Sequence, residues 1–282
     1  MLKPFTLQVA GRCAAGLRRP GRGTRVLALH GWLDNAASFL PLAAHLPDLD
    51  LVLLDLPGHG HSAHLPEGAS YTTPAAICHV LDVADALGWD RFTLLGHSMG
   101  AGIASLTAAV SDRIERLIAI EALGGLRGPE EATAQRLREH VNAARELSDK
   151  RLRVFADLAT PVRARMMANQ LSEANARLLV ERGVREVPGG FSWCTDPQLM
   201  VPTAIRLTEG QIDNLLQAIA CPTQVIYATP AQSYYPEPLR SDRLRLLADG
   251  RLALVPGSHH VHMEAPAAVA EVILHFLESN NH

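Results

Sequence analysis

The sequence predicts an α/β fold built on a mostly parallel, doubly wound sheet, and two observations predict it. Short apolar runs recur along the chain, each apolar at successive positions, as is typical of parallel strands covered on both faces. Stretches of helical periodicity separate these runs, so that strand and helix alternate. The runs span residues 25–29, 51–54, 92–95, 117–120, 224–227 and 252–255, and residues 5–15 predict a hairpin at the sheet edge.

Two of the helical stretches carry clear boundary signals. Thr73 is the expected N-cap of one helix, Pro74 takes its first position and Gly88 ends it. The last stretch begins at Pro266 and repeats apolar side chains at intervals of three and four residues. Both patterns predict amphipathic helices that pack one face against the sheet.

Residues 124–213 break this alternation, because they contain no strand-like run. The segment is rich in Ala, Arg, Glu and Leu, and it predicts several helices. It is too long for a simple crossover between two strands, so we expect an inserted helical cap. Residues 1–123 and 214–282 then form the core that carries the sheet.

Composition and charge exclude several classes of function. The chain of 282 residues has a formal net charge of −3 and only 5% aromatic residues, which argues against a nucleic-acid partner. No run approaches the roughly 20 apolar residues of a membrane span. The four cysteines are far apart and lack metal-type spacing, which favours free, buried thiols in a reducing compartment. We therefore expect a cytoplasmic protein, monomeric or homodimeric, that acts on a small molecule.

The strongest chemical signal is the sequence Gly-His-Ser-Met-Gly at residues 96–100. This G-x-S-x-G pattern follows a predicted strand directly and opens a helical stretch of small residues. A serine on such a tight turn presents its hydroxyl for nucleophilic attack, and the flanking glycines leave room for the neighbouring strand and helix. We therefore predict that Ser98 is a nucleophile rather than part of an ordinary glycine-rich turn.

A base is expected in the loop at residues 255–266, between the last predicted strand and the last helix. Such a loop can present an imidazole at the carboxyl edge of the sheet. His259 follows the Gly-Ser turn of this loop and is the predicted base. His260 and His262 remain alternatives, because they lie in the same loop.

Acyl transfer also needs N–H donors aimed at the negative oxygen of the tetrahedral intermediate. The residue after the nucleophile supplies one backbone N–H, here that of Met99. Trp32, in the His-Gly-Trp sequence that ends an earlier strand, is the predicted second donor. Only its backbone is required, so its side chain can pack as well. Trp32 and His97 are also predicted to line the substrate site.

Four segments together resemble the α/β-hydrolase superfamily. They are HGWLDNA at 30–36, DLPGHGHS at 55–62, GHSMG at 96–100 and the loop at 257–266. The stretches 30–39 and 255–266 more narrowly resemble the serine hydrolase-like proteins. The similarity spans nearly the whole chain and is weakest in the predicted cap. It implies an α/β-hydrolase fold and a cofactor-free hydrolase, usually assigned to esters.

The predicted acid departs from the superfamily pattern, which usually places Asp shortly after the seventh strand. In this chain Ala231 stands where that Asp would be expected. Glu121 follows Ser98 in the chain and closes the run 117–120, the alternative site that haloalkane dehalogenases use. We predict that Glu121 is the acid that orients the imidazole. Glu237, in a Pro-Glu-Pro turn, remains an alternative.

No metal or cofactor is expected. His59, His61 and His64 lie near Asp55 in the sequence, but this pattern is the usual loop after the fourth strand of the superfamily. Histidines there more often bond to backbone than to metal. The sequence as a whole predicts a serine hydrolase that cleaves carboxylic esters. Thioester or carbon–carbon bond hydrolysis by the same residues, and a non-catalytic ligand-binding protein on the same fold, remain alternatives.

Overall fold

The computed structural model describes residues 1–147 and 152–279. Its strands are β1 (Lys3–Val9), β2 (Arg12–Arg19), β3 (Arg25–Leu29), β4 (Asp50–Leu54), β5 (Phe92–His97), β6 (Ile114–Ile120), β7 (Val154–Phe155), β8 (Val184–Val187), β9 (Gly190–Trp193), β10 (Thr223–Thr229) and β11 (Gly250–Pro256). Its α-helices are α1 (Leu40–Ala43), α2 (Thr73–Ala86), α3 (Met99–Val110), α4 (Thr133–Glu146), α5 (Ala159–Asn169), α6 (Glu173–Gly183), α7 (Glu209–Gln217), α8 (Leu239–Leu244), α9 (Val261–Glu264) and α10 (Pro266–Glu278).

Eight strands form one sheet in the order β1-β2-β4-β3-β5-β6-β10-β11. The pairs from β4 to β11 are parallel, whereas β1 with β2 and β2 with β4 are antiparallel. All six predicted runs lie in the parallel part, and the predicted hairpin is β1 with β2. The mostly parallel sheet is therefore confirmed, and the carboxyl ends of β3, β5, β6, β10 and β11 meet at one edge.

Both faces of the sheet are covered. Successive strand residues point to opposite faces, and β3 shows the consequence. Leu27 and Leu29 belong to a core that includes residues of α2 and α3, whereas Val26 and Ala28 belong to a second core with residues of α1 and α10. Burial on both faces explains why the strands read as unbroken apolar runs.

The helix α2 begins at Thr73, but its N-cap is the preceding residue rather than Thr73 itself. Thr72 has extended backbone, and its hydroxyl oxygen accepts a hydrogen bond from the Ala75 N–H at 3.3 Å. Pro74 is therefore the second helical residue. Proline is tolerated there because N–H groups of the first turn have no partner within the helix.

Between β6 and β10 the chain forms helices and a small second sheet. Only helices were predicted there, and that expectation is wrong, because β7, β9 and β8 pair antiparallel in this order. The three strands have two, four and four residues, which is too short to show an apolar run. The turn between β8 and β9 contains Gly189, whose φ is +89°.

Helices α5 and α6 pack together over the last loop of the core. Val162, Leu171, Leu179 and Val180 share a small apolar cluster with Met263 of α9. This cluster fixes the two helices above the loop that carries the three histidines. All four cysteines are free thiols, but the expectation that they are buried is wrong, since Cys78 is exposed and the other three are partly exposed. Within residues 1–147 and 152–279, no helix is both long and apolar enough to span a bilayer.

Candidate active site

Ser98 lies in the turn between β5 and α3. Its backbone has φ of 52° and ψ of −116°, a positive-φ conformation that is strained for a residue with a Cβ. A Cβ on Gly100 would overlap the carbonyl oxygen of Leu29, and a Cβ on Gly96 would overlap the backbone of Ala101. Both positions therefore require glycine where the strand and helix approach each other, as the motif predicted.

His259 is the histidine of the last loop that faces Ser98. Its Nε2 lies 2.9 Å from Ser98 Oγ, which is hydrogen-bonding distance. The two alternative histidines lie elsewhere. His260 Nε2 is 3.1 Å from a carboxylate oxygen of Asp34, and the His262 side chain is fully buried. Of the three, the structure brings the predicted one to the hydroxyl.

Glu121 lies directly after β6 and is 1% exposed. Its Oε2 is 3.3 Å from His259 Nδ1, so hydroxyl, imidazole and carboxylate form one continuous chain of polar contacts. The alternative acid, Glu237, is exposed and accepts hydrogen bonds from Ser241 instead. The structure therefore brings Glu121, rather than Glu237, to the imidazole.

The end of β10 and helix α8 hold the Glu121 carboxylate. Its Oε1 accepts a hydrogen bond from the Ala228 N–H at 2.5 Å and lies 3.4 Å from Nη2 of Arg240. The Arg240 guanidinium is buried, stacks over the Tyr227 ring at 4.3 Å and donates to the carbonyl oxygens of Ala228 and Tyr235. Because Oε1 is engaged in this way, Oε2 is left to face the imidazole.

Sequence reasoning missed Arg240, because a charged residue beyond a strand end ordinarily lies in solvent. It also missed Tyr234, whose hydroxyl contacts His259 Nδ1 on the side away from Ser98. Burial and the neighbouring Glu121 charge raise the pKa of Tyr234, so the phenol stays neutral. Both residues follow Ala231 in the chain. The absence of Asp at that position marked this segment as unusual and could have directed attention to them.

The two predicted oxyanion donors lie on the segments that follow the neighbouring parallel strands β3 and β5. Met99 is the first residue of α3, where a backbone N–H has no partner within the helix. Trp32 follows β3, and among the described residues the structure records no hydrogen bond from its backbone N–H. Its indole is half-exposed and donates to the Leu199 carbonyl oxygen at 3.0 Å. The next N–H, that of Leu33, donates to His59 Nε2 at 3.2 Å.

The side chain of His97 lies beneath the site and not at its surface, which contradicts its prediction as a substrate-lining residue. It is fully buried, and its Nε2 lies 2.8 Å from the His259 carbonyl oxygen. The side chain turns inward because β5 is a central strand, covered on both faces. Burial, reinforced by His262, His259 and His260, holds the pKa of His97 well below its usual value.

Helices α5 and α6 anchor the loop that carries Trp32. Arg165 Nη2 lies 2.9 Å from Asp34 Oδ1 and also contacts the Leu33 carbonyl oxygen. The Asn35 amide donates to the Leu179 carbonyl oxygen at 2.8 Å. Although burial opposes it, His260 and Arg165 hold the pKa of the Asp34 carboxyl well below its usual range. This loop is thus tied to both helices by charged and neutral hydrogen bonds.

The loop after β4 is tied to α6 in the same manner. Arg182 of α6 contacts both carboxylate oxygens of Asp55, at 2.7 Å to Oδ2 and 3.1 Å to Oδ1. The same carboxylate accepts from the Ala36 N–H at 2.8 Å and the His61 N–H at 2.9 Å. His64 Nε2 contacts a backbone carbonyl oxygen, that of Cys194, at 2.7 Å. The contact of His64 with a backbone carbonyl oxygen is of the kind expected for this loop, whereas the ion pair of Arg182 with Asp55 was not predicted.

The arrangement suits acyl transfer. A hydroxyl on a strained turn contacts an imidazole, and the imidazole contacts a buried carboxylate. The backbone N–H of Met99, next to Ser98 in the chain, and that of Trp32, in the loop after the neighbouring strand β3, are the candidate donors to an oxyanion.

Known proteins share both the sequence pattern and the fold. The profile of the alpha/beta hydrolase fold family matches residues 24–189. The chain is 31% identical over 272 residues to a serine hydrolase-like protein of Danio rerio, and the match covers 92% of this chain and 83% of that relative.

Two solved structures are similar over nearly their whole length. A crystal structure of a hypothetical protein from Pseudomonas aeruginosa PAO1 superposes with a TM-score of 0.92 and 40% identity, covering 98% of this chain and 99% of the other. The thioesterase domain from the curacin biosynthetic pathway superposes with a TM-score of 0.84 and 25% identity, covering 97% and 99%.

Proposed function

The chain belongs to the alpha/beta hydrolase fold family, and from that premise we propose that it cleaves carboxylic esters through an acyl-enzyme on Ser98. The family and its serine hydrolase-like relatives support a hydrolase; the ester bond and the covalent intermediate are the proposal. The observation that carries it is the chain of contacts from Ser98 Oγ to His259 at 2.9 Å and from His259 to Glu121 at 3.3 Å. A non-catalytic protein would have no need of this arrangement on a strained turn.

In the proposed reaction, His259 Nε2 takes the proton of the Ser98 hydroxyl while the oxygen attacks the ester carbonyl. The backbone N–H groups of Trp32 and Met99 donate to the oxyanion of the tetrahedral intermediate. His259 then gives the proton to the leaving alcohol, and the acyl group stays on Ser98. Water repeats both steps with His259 as base, which releases the acid and restores the hydroxyl.

Glu121 acts in this scheme through the imidazole. It keeps the proton of neutral His259 on Nδ1 and stabilises the imidazolium that forms during each step. Ala228 and Arg240 do not contact the imidazole themselves. They position Glu121, because they engage its Oε1 and direct its Oε2 to the ring.

We further propose that residues 124–213 form a cap and that the substrate enters between this cap and the carboxyl edge of the sheet. Trp32 lies at that boundary, since its half-exposed indole bonds to Leu199 of the segment. The contacts of Arg165 and Asn35 fix the oxyanion loop against α5 and α6. Cap and oxyanion loop therefore form one wall of the site.

A second candidate reaction is thioester hydrolysis by the same residues. The observation that favours it is the similarity to the curacin-pathway thioesterase domain, which covers almost the whole chain. The chemistry differs only in the leaving group, a thiol in place of an alcohol.

We also propose that the protein is cytoplasmic and is a monomer or homodimer. The four free cysteines support the cytoplasmic location.

A panel of p-nitrophenyl esters of increasing acyl length, run beside the matching acyl thioesters, tests the proposal. Ester turnover that Ser98→Ala abolishes supports it, and the preferred acyl length reports the depth of the site. Turnover of thioesters alone would favour the second candidate. Ester turnover that persists in Ser98→Ala would overturn the assignment of the nucleophile.

A further inference from the structure

A pocket of imidazole rings lies behind the proposed catalytic residues. Asp34, His97, His260 and His262 form it, and each is at most 3% exposed. We refer to these four residues as the histidine pocket. The ring of His97 lies 4.1 Å from that of His262 and 5.0 Å from that of His260, measured between ring centroids. The proposed reaction uses none of these side chains.

The hydrogen bond of His97 fixes where its proton lies. Its Nε2 is 2.8 Å from the His259 carbonyl oxygen, which can only accept, so Nε2 carries the hydrogen. The other nitrogen of a neutral ring, Nδ1, then bears a bare lone pair. This atom is buried and has no hydrogen-bond partner among the described residues.

Nδ1 of His97 faces a second electron-rich atom. Asp34 Oδ2 lies 3.8 Å from it and 3.1 Å from His260 Nε2. A bare lone pair and a carboxylate oxygen 3.8 Å apart in a buried pocket are unfavourable neighbours unless a cation lies between them. These three atoms lie within 4.8 Å of one another, somewhat wider than the roughly 4 Å that two metal–nitrogen bonds of about 2.0–2.1 Å can span.

We propose that Asp34, His97 and His260 bind a zinc ion. One carboxylate oxygen and two imidazole nitrogens form a donor set that suits Zn²⁺, whereas Ca²⁺ and Mg²⁺ prefer oxygen alone. On binding, the proton of His260 moves from Nε2 to Nδ1 of the same ring so that Nε2 can ligate, and the pocket contracts until the three donor atoms reach bonding distance of the ion. Gly31 lines the same gap: a Cβ there would lie 3.0 Å from His97 Nδ1 and 3.1 Å from Asp34 Oδ2.

Two of the three ligands have the outer contacts typical of a metal site, whereas Nδ1 of His260 is buried and has no hydrogen-bond partner among the described residues. Ligating histidines commonly donate their second ring N–H to a carbonyl oxygen, and ligating carboxylates are themselves hydrogen-bonded. His97 makes the first kind of contact with His259. Asp34 makes the second kind, because its Oδ1 is held by Arg165 at 2.9 Å.

The ion would have a structural role. Its ligands come from three separate segments: Asp34 from the loop after β3, His97 from the end of β5 and His260 from the loop after β11. Each segment also carries a residue of the proposed mechanism, namely Trp32, Ser98 or His259. Zinc would therefore tie together the three segments that form the site, whatever reaction the site performs.

Metal content tests the inference independently of activity. The purified protein is stripped with a chelator, dialysed to equilibrium against buffered Zn²⁺, and analysed by plasma mass spectrometry. Wild type should retain one zinc ion per chain and melt several degrees higher with zinc than without. Asp34→Asn and His260→Gln should bind at least about 100-fold more weakly, whereas His275→Gln, on the exposed face of α10, should bind like wild type.

Cobalt substitution in wild type keeps the test decisive if a variant fails to fold. A visible spectrum of Co²⁺ with nitrogen and oxygen ligands, competed away by one equivalent of zinc, supports the site. No retained zinc in wild type would overturn the inference, and so would equal retention in wild type and a folded Asp34→Asn variant. Either result would mean that a proton or a water molecule, and not zinc, lies between His97 Nδ1 and Asp34.

Discussion

Glu121 Oε2 lies 3.3 Å from Nδ1 of His259, although 138 positions separate the two residues in the chain. The parallel pairing of β6 with β10 brings Glu121 to the end of β10. There the Ala228 N–H holds the other carboxylate oxygen. A carboxylate at the end of β6 thus reaches the imidazole. It takes the place of the Asp expected after β10, where this chain has Ala231.

Replacing Glu121 with Gln should lower kcat by about 10³- to 10⁴-fold, because an amide no longer holds the correct tautomer or stabilises the imidazolium. Steady-state kinetics on the best ester of the panel measures the loss. Glu237→Gln is the matched control, since Glu237 contacts Ser241 and not the imidazole. Equal activity of the two variants would contradict the role of Glu121.

Replacing Arg240 with Met should lower the free energy of unfolding by about 3–5 kcal/mol, since it leaves the buried Glu121 charge without its cation. Urea unfolding measures the change. Arg245→Met is the control, because Arg245 pairs with Asp242 in solvent and should cost less than about 1 kcal/mol. Similar costs for both arginines would show that the pair with Glu121 adds nothing.

Trp32→Ala should raise KM while kcat stays within a few-fold of wild type. The variant removes a half-exposed indole from the substrate wall but keeps the backbone N–H, whose loss alone would cost about 10²–10³ in kcat. Kinetics across the ester panel separates the two parameters. A fall in kcat with unchanged KM would contradict this division between side chain and backbone.

Gly100→Ala should destabilise the protein by about 1–3 kcal/mol or prevent folding, because its Cβ would overlap the Leu29 carbonyl oxygen. The sign of this change in the free energy of unfolding is informative, since alanine in place of a helical glycine ordinarily stabilises a protein by about 0.5–1 kcal/mol. Gly125→Ala is the control, because no atom lies within 4 Å of its added Cβ. Denaturant unfolding should show little change for Gly125→Ala, and a stable Gly100→Ala protein would contradict the proposed close approach.

The sheet could be predicted because burial on both faces leaves a direct mark in the sequence. Leu27 and Leu29 pack on one face and Val26 and Ala28 on the other, so the run has no polar gap. The strands β7 to β9 could not be predicted in this way. They are too short to carry a periodic signal, and their pairing depends on contacts within a segment of mixed composition.

Part of the site could be predicted for a similar reason. Ser98 lies in a turn whose glycines are dictated by local geometry, and such geometry is visible in a short motif. The partners of Glu121 are set by tertiary structure. Arg240 is buried only because α8 folds back over the end of β10, and nothing in its local sequence marks a buried arginine. The burial of the His97 side chain was missed for the same reason, because it too depends on tertiary contacts.

Labelling with a fluorophosphonate probe reports whether Ser98 is an activated nucleophile, because the probe reacts covalently with an activated serine hydroxyl and releases fluoride. Wild type should be labelled at Ser98, as read by mass spectrometry of the modified peptide. Folded Ser98→Ala and heat-denatured wild type should both remain unlabelled. An unlabelled wild type, or equal labelling of the folded Ser98→Ala variant, would contradict the account.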